Sequence, residues 1–302
     1  MSNPSGGGNP RFKGPGMQWK TPWKKRAELL PNMPFIEGWI FEGLGGQEAI
    51  YGRYPPASLA LEGAAGAGGF WRGAVLFIRP GAGVVDQEAI AATKGLSQPA
   101  EIGGWRLFVA MDGSLNFEIG DTNGNFVSAK TAAATASVLA SSPDQIAPAL
   151  VVPLLGIFNG DGTTVELHTG DGSVYSASFA GAVYQSPQLG QQVPAFTFGN
   201  DQSTTFAPAT SLGINGAVGG AGIPSAPQIE QWFADVKTQL ATPIIPGITT
   251  NRWICNSYIS ANAWRIEGPG TVADDINGQD INATSTKPSP FTLTNYPVVF
   301  DY

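Results

Sequence analysis

The chain of 302 residues has a single cysteine, Cys255, so no disulfide can close within it. It has a single histidine, His168. A zinc centre built on Cys and His takes about four ligands, and these two residues cannot supply them. A Ser-His-Asp triad would have to use His168. Charge is scarce, with 13% of residues Asp, Glu, Lys or Arg. No run approaches the ~18 consecutive apolar residues that cross a bilayer as a helix, so none is expected. The opening MSNPSGGGNPRFKGPGMQWK has no apolar stretch of the secretory-leader kind. The expectation is synthesis in the cytoplasm without signal-peptide export.

Glycine and proline are plentiful: 40 and 24 residues, about one in five of the chain. They are spread too widely for a collagen repeat or a simple linker. With 42% hydrophobic residues the chain can still bury a sizeable core. Charge is unevenly placed. Arg11, Lys13, Lys20, Lys24, Lys25 and Arg26 all precede the first acid, Glu28, while the rest of the chain is strongly acidic and the net charge is −7. A basic arm on an acidic body reads as a segment that docks on a neighbouring subunit or as a solvated tail. Trp19 and Trp23 among those cations would suit single-stranded nucleic acid, but six charges give modest affinity and the acidic body repels phosphate, so nucleic acid is not the expected partner.

Residues 1–69 show no sustained period and are expected to be irregular, their aromatics lying on a surface and EGAAGAGG (62–69) forming a joint. From Phe70 the pattern becomes that of short strands between turns. FWRGAVLFI (70–78) reads as a strand. GWRLFVAMDGSLNFEIG (104–120) is a hairpin about Asp112-Gly113, and TTVELHTGDGSVYSASFAG (163–181) is another about Asp171-Gly172. ALVVPLLGIFNG (149–160) is a buried strand whose proline implies a bulge or an edge. PAFTFG (194–199) is a further short strand. SAPQIEQWFADVKTQL (225–240) is the one convincing helix: Ser225 can cap it, Pro227 fits its first turn, and Ile229, Trp232, Phe233 and Val236 share one apolar face. ATPIIPGITT (241–250) reads as a linker. NRWICNSYISANAWRIEG (251–268) returns to β patterning, and FTLTNYPVVFDY closes the chain as a strand. The expected organisation is an extended N-terminal arm over 1–69, a β-sandwich over 70–240, and a linker with a β extension over 241–302. The expected fold is all-β: a two-sheet antiparallel jelly-roll sandwich with one short helix and extended arms at both ends.

The order of these elements resembles the concanavalin A-like lectin/glucanase superfamily, and within it the laminin G-like and pentraxin-like modules. The residues that carry the resemblance are Trp105 through Phe117, Gly156 through Gly160, Thr163 through Gly172, Phe196 through Gly199, Gly213 through Gly219, and Ser225 through Phe233. They span a little over half the chain and are mainly fold-determining positions. The sequence departs from that pattern where the family usually has W-H-H-(V/I): here DQIAPALVVPLLGIF holds neither Trp nor His. A faint version of the family's first-strand segment occurs late, in AWRIEGPGTVADDINGQDIN (263–282), which would let the C-terminal piece complete the sandwich.

The resemblance raises three chemistries. Glycoside hydrolysis needs two carboxylates facing one cleft. No E-x-D-x-(x)-E run exists, and the odd spacing of Glu118 and Asp121 puts them on opposite faces of a straight strand, so the chain is not expected to be an enzyme. Calcium takes six to eight oxygens. Asp112, Asp121, Asp161, Asp171 and Asp201 are read first as turn or loop residues, and Asp274, Asp275 and Asp280, with Asn277 nearby, are the weak candidates for Ca2+; no other cofactor is implied. Sugar binding needs an aromatic platform and Asp/Asn hydrogen bonds, for which Tyr175, Tyr184 and Asn200 are the candidates. Trp105, on an alternating strand, reads as core, and His168 as an exposed strand residue.

Arms rich in Gly, Pro and Trp cannot offset their ordering entropy alone. The leading expectation is therefore a non-catalytic, lectin-like structural protein of a larger assembly, a phage capsid-decoration component or similar part of a virion, tied to other protein subunits by its arms. A carbohydrate-binding module for adhesion or host attachment, contacting a surface glycan, is the alternative. A glycan-cleaving enzyme is a third.

Overall fold

A computed structural model describes residues 33–40, 49–51, 69–78, 88–93, 105–110, 112–120, 126–135, 148–160, 164–178, 196–198, 212–249, 251–254, 271–273, 280–284 and 292–300. The strands are β1 (Phe35–Ile40), β2 (Ala49–Tyr51), β3 (Phe70–Ile78), β4 (Glu88–Thr93), β5 (Trp105–Val109), β6 (Leu115–Gly120), β7 (Phe126–Lys130), β8 (Ala149–Phe158), β9 (Thr164–Thr169), β10 (Val174–Ser178), β11 (Phe196–Phe198), β12 (Leu212–Ala221), β13 (Asn251–Ile254), β14 (Thr271–Ala273), β15 (Asp280–Thr284) and β16 (Thr292–Val299). The helix among the described residues is α1 (Ala226–Gln239). All belong to one compact unit, Pro34–Tyr302.

The strands form two eight-stranded sheets. One contains β3, β8, β9, β10, β12, β13 and the pair β1–β16; the other runs β14-β15-β2-β11-β4-β5-β6-β7. The two-sheet, mainly antiparallel architecture, with helix Ala226–Gln239 where it was expected, is the fold expected from the sequence. Its extent differs from the expected boundaries. Residues 35–40 and 49–51, expected to be irregular, are strands, and β16 enters the first sheet from the far end of the chain. Their partners lie far away in sequence, from Tyr51↔Thr197 to Phe35↔Pro297, so no local period announces them.

In the first sheet, β3 pairs with β8 and β12, β12 with β1, β1 with β16, and β16 with β8. These five strands therefore close a ring. Its last link, β16–β8, is parallel and covers Val298↔Ala149 and Val299↔Leu150. Ile36, Val75, Phe77, Val151 and Val298 share one buried cluster. Phe77 lies over Gly38 and Gly213, where a Cβ on either glycine would overlap its ring. Side chains fill small closed strand arrangements in this way. Pro153, expected at a bulge or edge, keeps regular register with Val75 of β3. On the other flank of β8, β9 pairs only with Leu154 through Phe158 and β16 only with Ala149 and Leu150. Pro153 falls in the gap between them, where the missing N–H costs that flank no ladder bond.

Strand alternation sorts the first sheet's side chains onto two faces. Arg72, Leu154, Phe158, Val165 and Leu167 face the second sheet, whose Trp105, Leu107, Leu115, Phe117 and Ile119 are buried opposite. Phe117 packs over Gly156, and the Arg72 guanidinium lies 4.4 Å from the Phe70 ring centroid and 5.0 Å from that of Trp105. Trp105 is 1% exposed, as its strand position predicts.

The other face carries α1. Trp232 and Val236 are fully buried, with Ile229 and Phe233 packed beside them, which is the predicted apolar stripe. Gly73 leaves room for the Trp232 ring. At the N-terminus Gln228 Oε1 accepts from the Ser225 N–H at 2.9 Å and from its hydroxyl at 3.0 Å. The helix ends on Leu240 in the left-handed region (φ 53°), its N–H bonded to the Val236 carbonyl.

Residues 241–249, expected to be a linker, instead strap the helix to the sheet. Ile245 is buried and Ile248 packs on the same cluster. Trp232 Nε1 donates to the Pro243 carbonyl at 2.8 Å, and Trp71 Nε1 to that of Ile248 at 3.2 Å. Asn215 sits at a register shift between Ile214 and Gly216 in the β12–β3 pairing. Its Oδ1 accepts from the Thr242 N–H at 2.7 Å and hydroxyl at 2.9 Å. The bulge re-aims a polar side chain out of the strand ladder.

Candidate functional site

Two turns of the same design stand at one end of the sandwich. In the first, the Ala110 N–H donates to the Ser114 carbonyl and the Gly113 N–H to the Ala110 carbonyl. In the second, Thr169 bonds Ser173 and Gly172 bonds Thr169 in the same pattern. Gly113 and Gly172 take φ of 76° and 83°, which favours glycine there. This is the three-residue hairpin loop with a left-handed glycine at its close. Asp112 Oδ1 accepts from the Ser114 N–H at 2.9 Å and hydroxyl at 2.6 Å. Asp171 Oδ1 accepts from the Ser173 N–H at 3.0 Å and the Thr169 hydroxyl at 2.6 Å. The turn reading of these two aspartates is thus the one their geometry satisfies. The hydrogen bonds from Ser114 and from Thr169, respectively, hold the Asp112 and Asp171 carboxyls below the usual range.

Between the sheets at this end lies an open cavity of about 130 Å³. It opens beside the gap along β8 between β9 and β16. Leu150, Val151, Val152 and Pro153 form one wall, Leu115 and Thr131 another, and Thr135 stands with Thr131 on the segment after β7. Thr169, Gly170, Asp171 and Tyr175 complete it from the β9–β10 hairpin. Tyr175 pairs with Leu167, which points its half-buried ring toward the second sheet. The Ala134 N–H donates to the Asp112 carbonyl at 2.5 Å, and Ala134 has φ 62°, an uncommon conformation for a residue with a Cβ.

Of the sequence-derived sugar-binding candidates, Tyr175 lines this cavity; Tyr184 and Asn200 lie outside the described residues. So do the basic arm residues Arg11, Lys13, Trp19, Lys20, Trp23, Lys24, Lys25 and Arg26, the acids Asp121, Asp161, Asp201, Asp274 and Asp275, and Asn277. Asp280 opens β15. Among the described residues no three His, Cys, Asp or Glu side chains gather as metal ligands do. The threonines were not singled out in the sequence, because Thr169 joins Thr131 and Thr135 only through long-range packing. The two Asp-Gly turns and Tyr175 were the local signals pointing at this end of the molecule.

His168 departs from expectation. Its side chain is 13% exposed, with Nε2 3.0 Å from Glu166 Oε2. The two residues are separated by one position on β9, so alternation places them on one face, the face shared with Leu155 and Ile157. Glu118 is likewise committed: its Oε1 receives Arg106 Nε at 2.7 Å and Nη2 at 2.6 Å. Burial raises the Glu118 carboxyl above its ordinary value, with Arg106 pulling it down.

No protein-family model matches the chain, and no curated protein matches it in sequence. Solved structures match it in fold. A candidate carbohydrate-binding protein from Bacteroides ovatus ATCC 8483 aligns over 87% of this chain and 60% of its own, with TM-score 0.51 and 9% identity. Domains LG4-5 of the mouse laminin alpha1 chain align over 61% of this chain and 40% of theirs, with TM-score 0.38 and 14% identity. The CBM40 of Ruminococcus gnavus IT-sialidase, solved with alpha2,6 sialyllactose, aligns over 60% of this chain and 90% of its own, with TM-score 0.39 and 9% identity. The chain thus spans less than half the laminin structure and nearly all of the CBM40 domain. With its two packed sheets and the helix α1 on one face, the chain has the lectin-like jelly-roll β-sandwich fold.

Proposed function

We propose that this chain is a non-catalytic carbohydrate-binding module whose site is the cavity at the D-G-S turns. The observation that carries the reading is the convergence there of one aromatic ring, one ionised carboxylate and three threonine hydroxyls on an apolar floor. An apolar concavity with a few placed polar groups is the usual form of a small-molecule site. At about 130 Å³ the cavity is below the roughly 300–1,000 Å³ of drug-sized pockets, so it suits one sugar ring at a chain end rather than a long glycan. Tyr175 supplies the stacking surface, and the hydroxyls and Asp171 fix the orientation of the sugar's O–H groups. The fold shared with the Bacteroides protein is in keeping with this reading.

The tethering role expected from the sequence draws less support. The segments 35–40 and 292–299 pair with each other inside this chain's own sheet, which leaves the charge asymmetry of the first 26 residues as its remaining motive.

The test is a glycan array followed by titration calorimetry on the full chain. Binding should appear for at least one terminal sugar, fall more than tenfold in Tyr175→Ala, and persist in Tyr175→Phe, which keeps the ring. The absence of any glycan ligand, or binding indifferent to Tyr175→Ala in a variant with unchanged circular dichroism, would overturn the proposal.

A further inference from the structure

We infer that the cavity selects an uncharged sugar residue and rejects carboxylated ones, an inference that rests on the carbohydrate-binding reading above. The argument is a count of donors and acceptors. The Thr169 hydroxyl donates to Asp171 Oδ1 at 2.6 Å, the Thr135 hydroxyl to the Ala132 carbonyl at 2.7 Å, and the Thr131 hydroxyl to the same carbonyl at 3.2 Å. A hydroxyl has one proton, so these three groups turn lone pairs, not donors, toward a ligand. The Thr131 oxygen also accepts the Leu115 N–H at 2.9 Å, which fixes its orientation.

Asp171 is an acceptor without any proton to give. Its Oδ1 takes Thr169 and the Ser173 N–H, and its Oδ2 takes the Ser173 hydroxyl at 3.1 Å. An ionised carboxylate has about four acceptor sites, so capacity remains on Oδ2. Those same hydrogen bonds keep the group ionised at neutral pH. No Lys, Arg or His stands among the described lining residues.

The Tyr175 phenol is the remaining side-chain O–H of the described lining, so a ligand entering this site meets mainly acceptors and must bring donors to them. Neutral sugar hydroxyls do so, and each can give its proton to Asp171 or to a threonine oxygen. A sugar carboxylate brings only acceptors and a charge of the same sign as Asp171. At about 5 Å and an intermediate effective dielectric such a pair repels strongly enough for about a tenfold or larger loss of affinity.

The test uses matched methyl pyranosides that differ only at C6: glucoside against glucuronide, galactoside against galacturonide, mannoside against mannuronide. Each is titrated into the full chain at pH 7 by calorimetry or ligand-observed NMR. At least one neutral member should bind, about tenfold or more tightly than its uronate. In Asp171→Asn, which retains a turn-forming side chain, that gap should narrow to about threefold. A uronate that binds as well as its neutral partner overturns the selectivity while leaving carbohydrate binding intact. A gap unchanged in Asp171→Asn overturns the role given to Asp171. No binding across the panel overturns this inference together with the reading beneath it. The comparison within the unmodified chain stands even where the variant folds poorly.

Discussion

Asp112 and Asp171 each spend their carboxylates on a turn, and that sets how the fold responds to acid. Both carboxyls lie below the ordinary aspartate value in the folded chain. Between the folded and unfolded values the unfolded chain holds more protons, so stability rises with pH there. The contribution is fully present above about pH 4 and is lost as pH falls through the folded values. Urea denaturation from pH 2 to 6 should show this acid-side loss, and it should flatten in the double variant Asp112→Asn/Asp171→Asn. An unchanged slope would mean the turn bonds carry no net stability. Glu118 acts in the opposite sense: its raised carboxyl favours the fold when protonated, and that contribution is lost as pH rises through the folded value. The Asp-Gly dipeptides were legible in the sequence because a left-handed glycine after an aspartate is a local requirement. The ion pair of Glu118 with Arg106 was not legible, since it depends on the β5–β6 register that sets the two opposite each other.

At the scale of elements, α1 and the strap after it behave as one unit. The helix was readable from its 3.6-residue period and from Ser225 and Pro227 at its start. The strap was not, because two prolines and a glycine in ATPIIPGITT have the composition of a loop. Besides the buried Ile245 and the indoles of Trp71 and Trp232, what holds it is Asn215, placed at a bulge in β12 on another element. Asn215→Ala would leave the Thr242 N–H, which is buried, without this acceptor. The expected loss is about 1–3 kcal/mol, with hydrogen exchange rising over residues 241–249 ahead of the strands. A variant with unaltered stability and protection there would show that Ile245 burial alone fixes the strap. The expected exposure of His168 failed for a related reason: its face of β9 is shared with Leu155 and Ile157 of β8, which the sequence around it does not show.

For the whole molecule, the ring β3–β8–β16–β1–β12 joins the two ends of the chain to its middle. Ile36 and Val298 are completely buried, and both contribute to the cluster around Phe77. Deleting residues 292–302 removes β16, leaves β1 without six paired partners, and opens that cluster to water. The expected outcome is a loss greater than about 4 kcal/mol, the range reserved for broken cores, read as a collapsed or non-cooperative denaturation curve by tryptophan fluorescence. A midpoint unchanged by the deletion would show that the remaining strands are self-sufficient. The same ring makes the site: the parallel link of β16 to the first two residues of β8 leaves the gap beside Pro153 where the cavity opens.

What is local was already written along the chain: alternating apolar residues, Asp-Gly turns, a capped amphipathic helix, and with them an all-β sandwich bearing one helix. These follow from neighbours a few residues apart, whose backbone preferences act before any distant contact exists. The ring, the strap and the cavity came from packing. Each requires residues separated in sequence to meet, and that meeting is driven by burial of apolar surface, which has no direction along the chain.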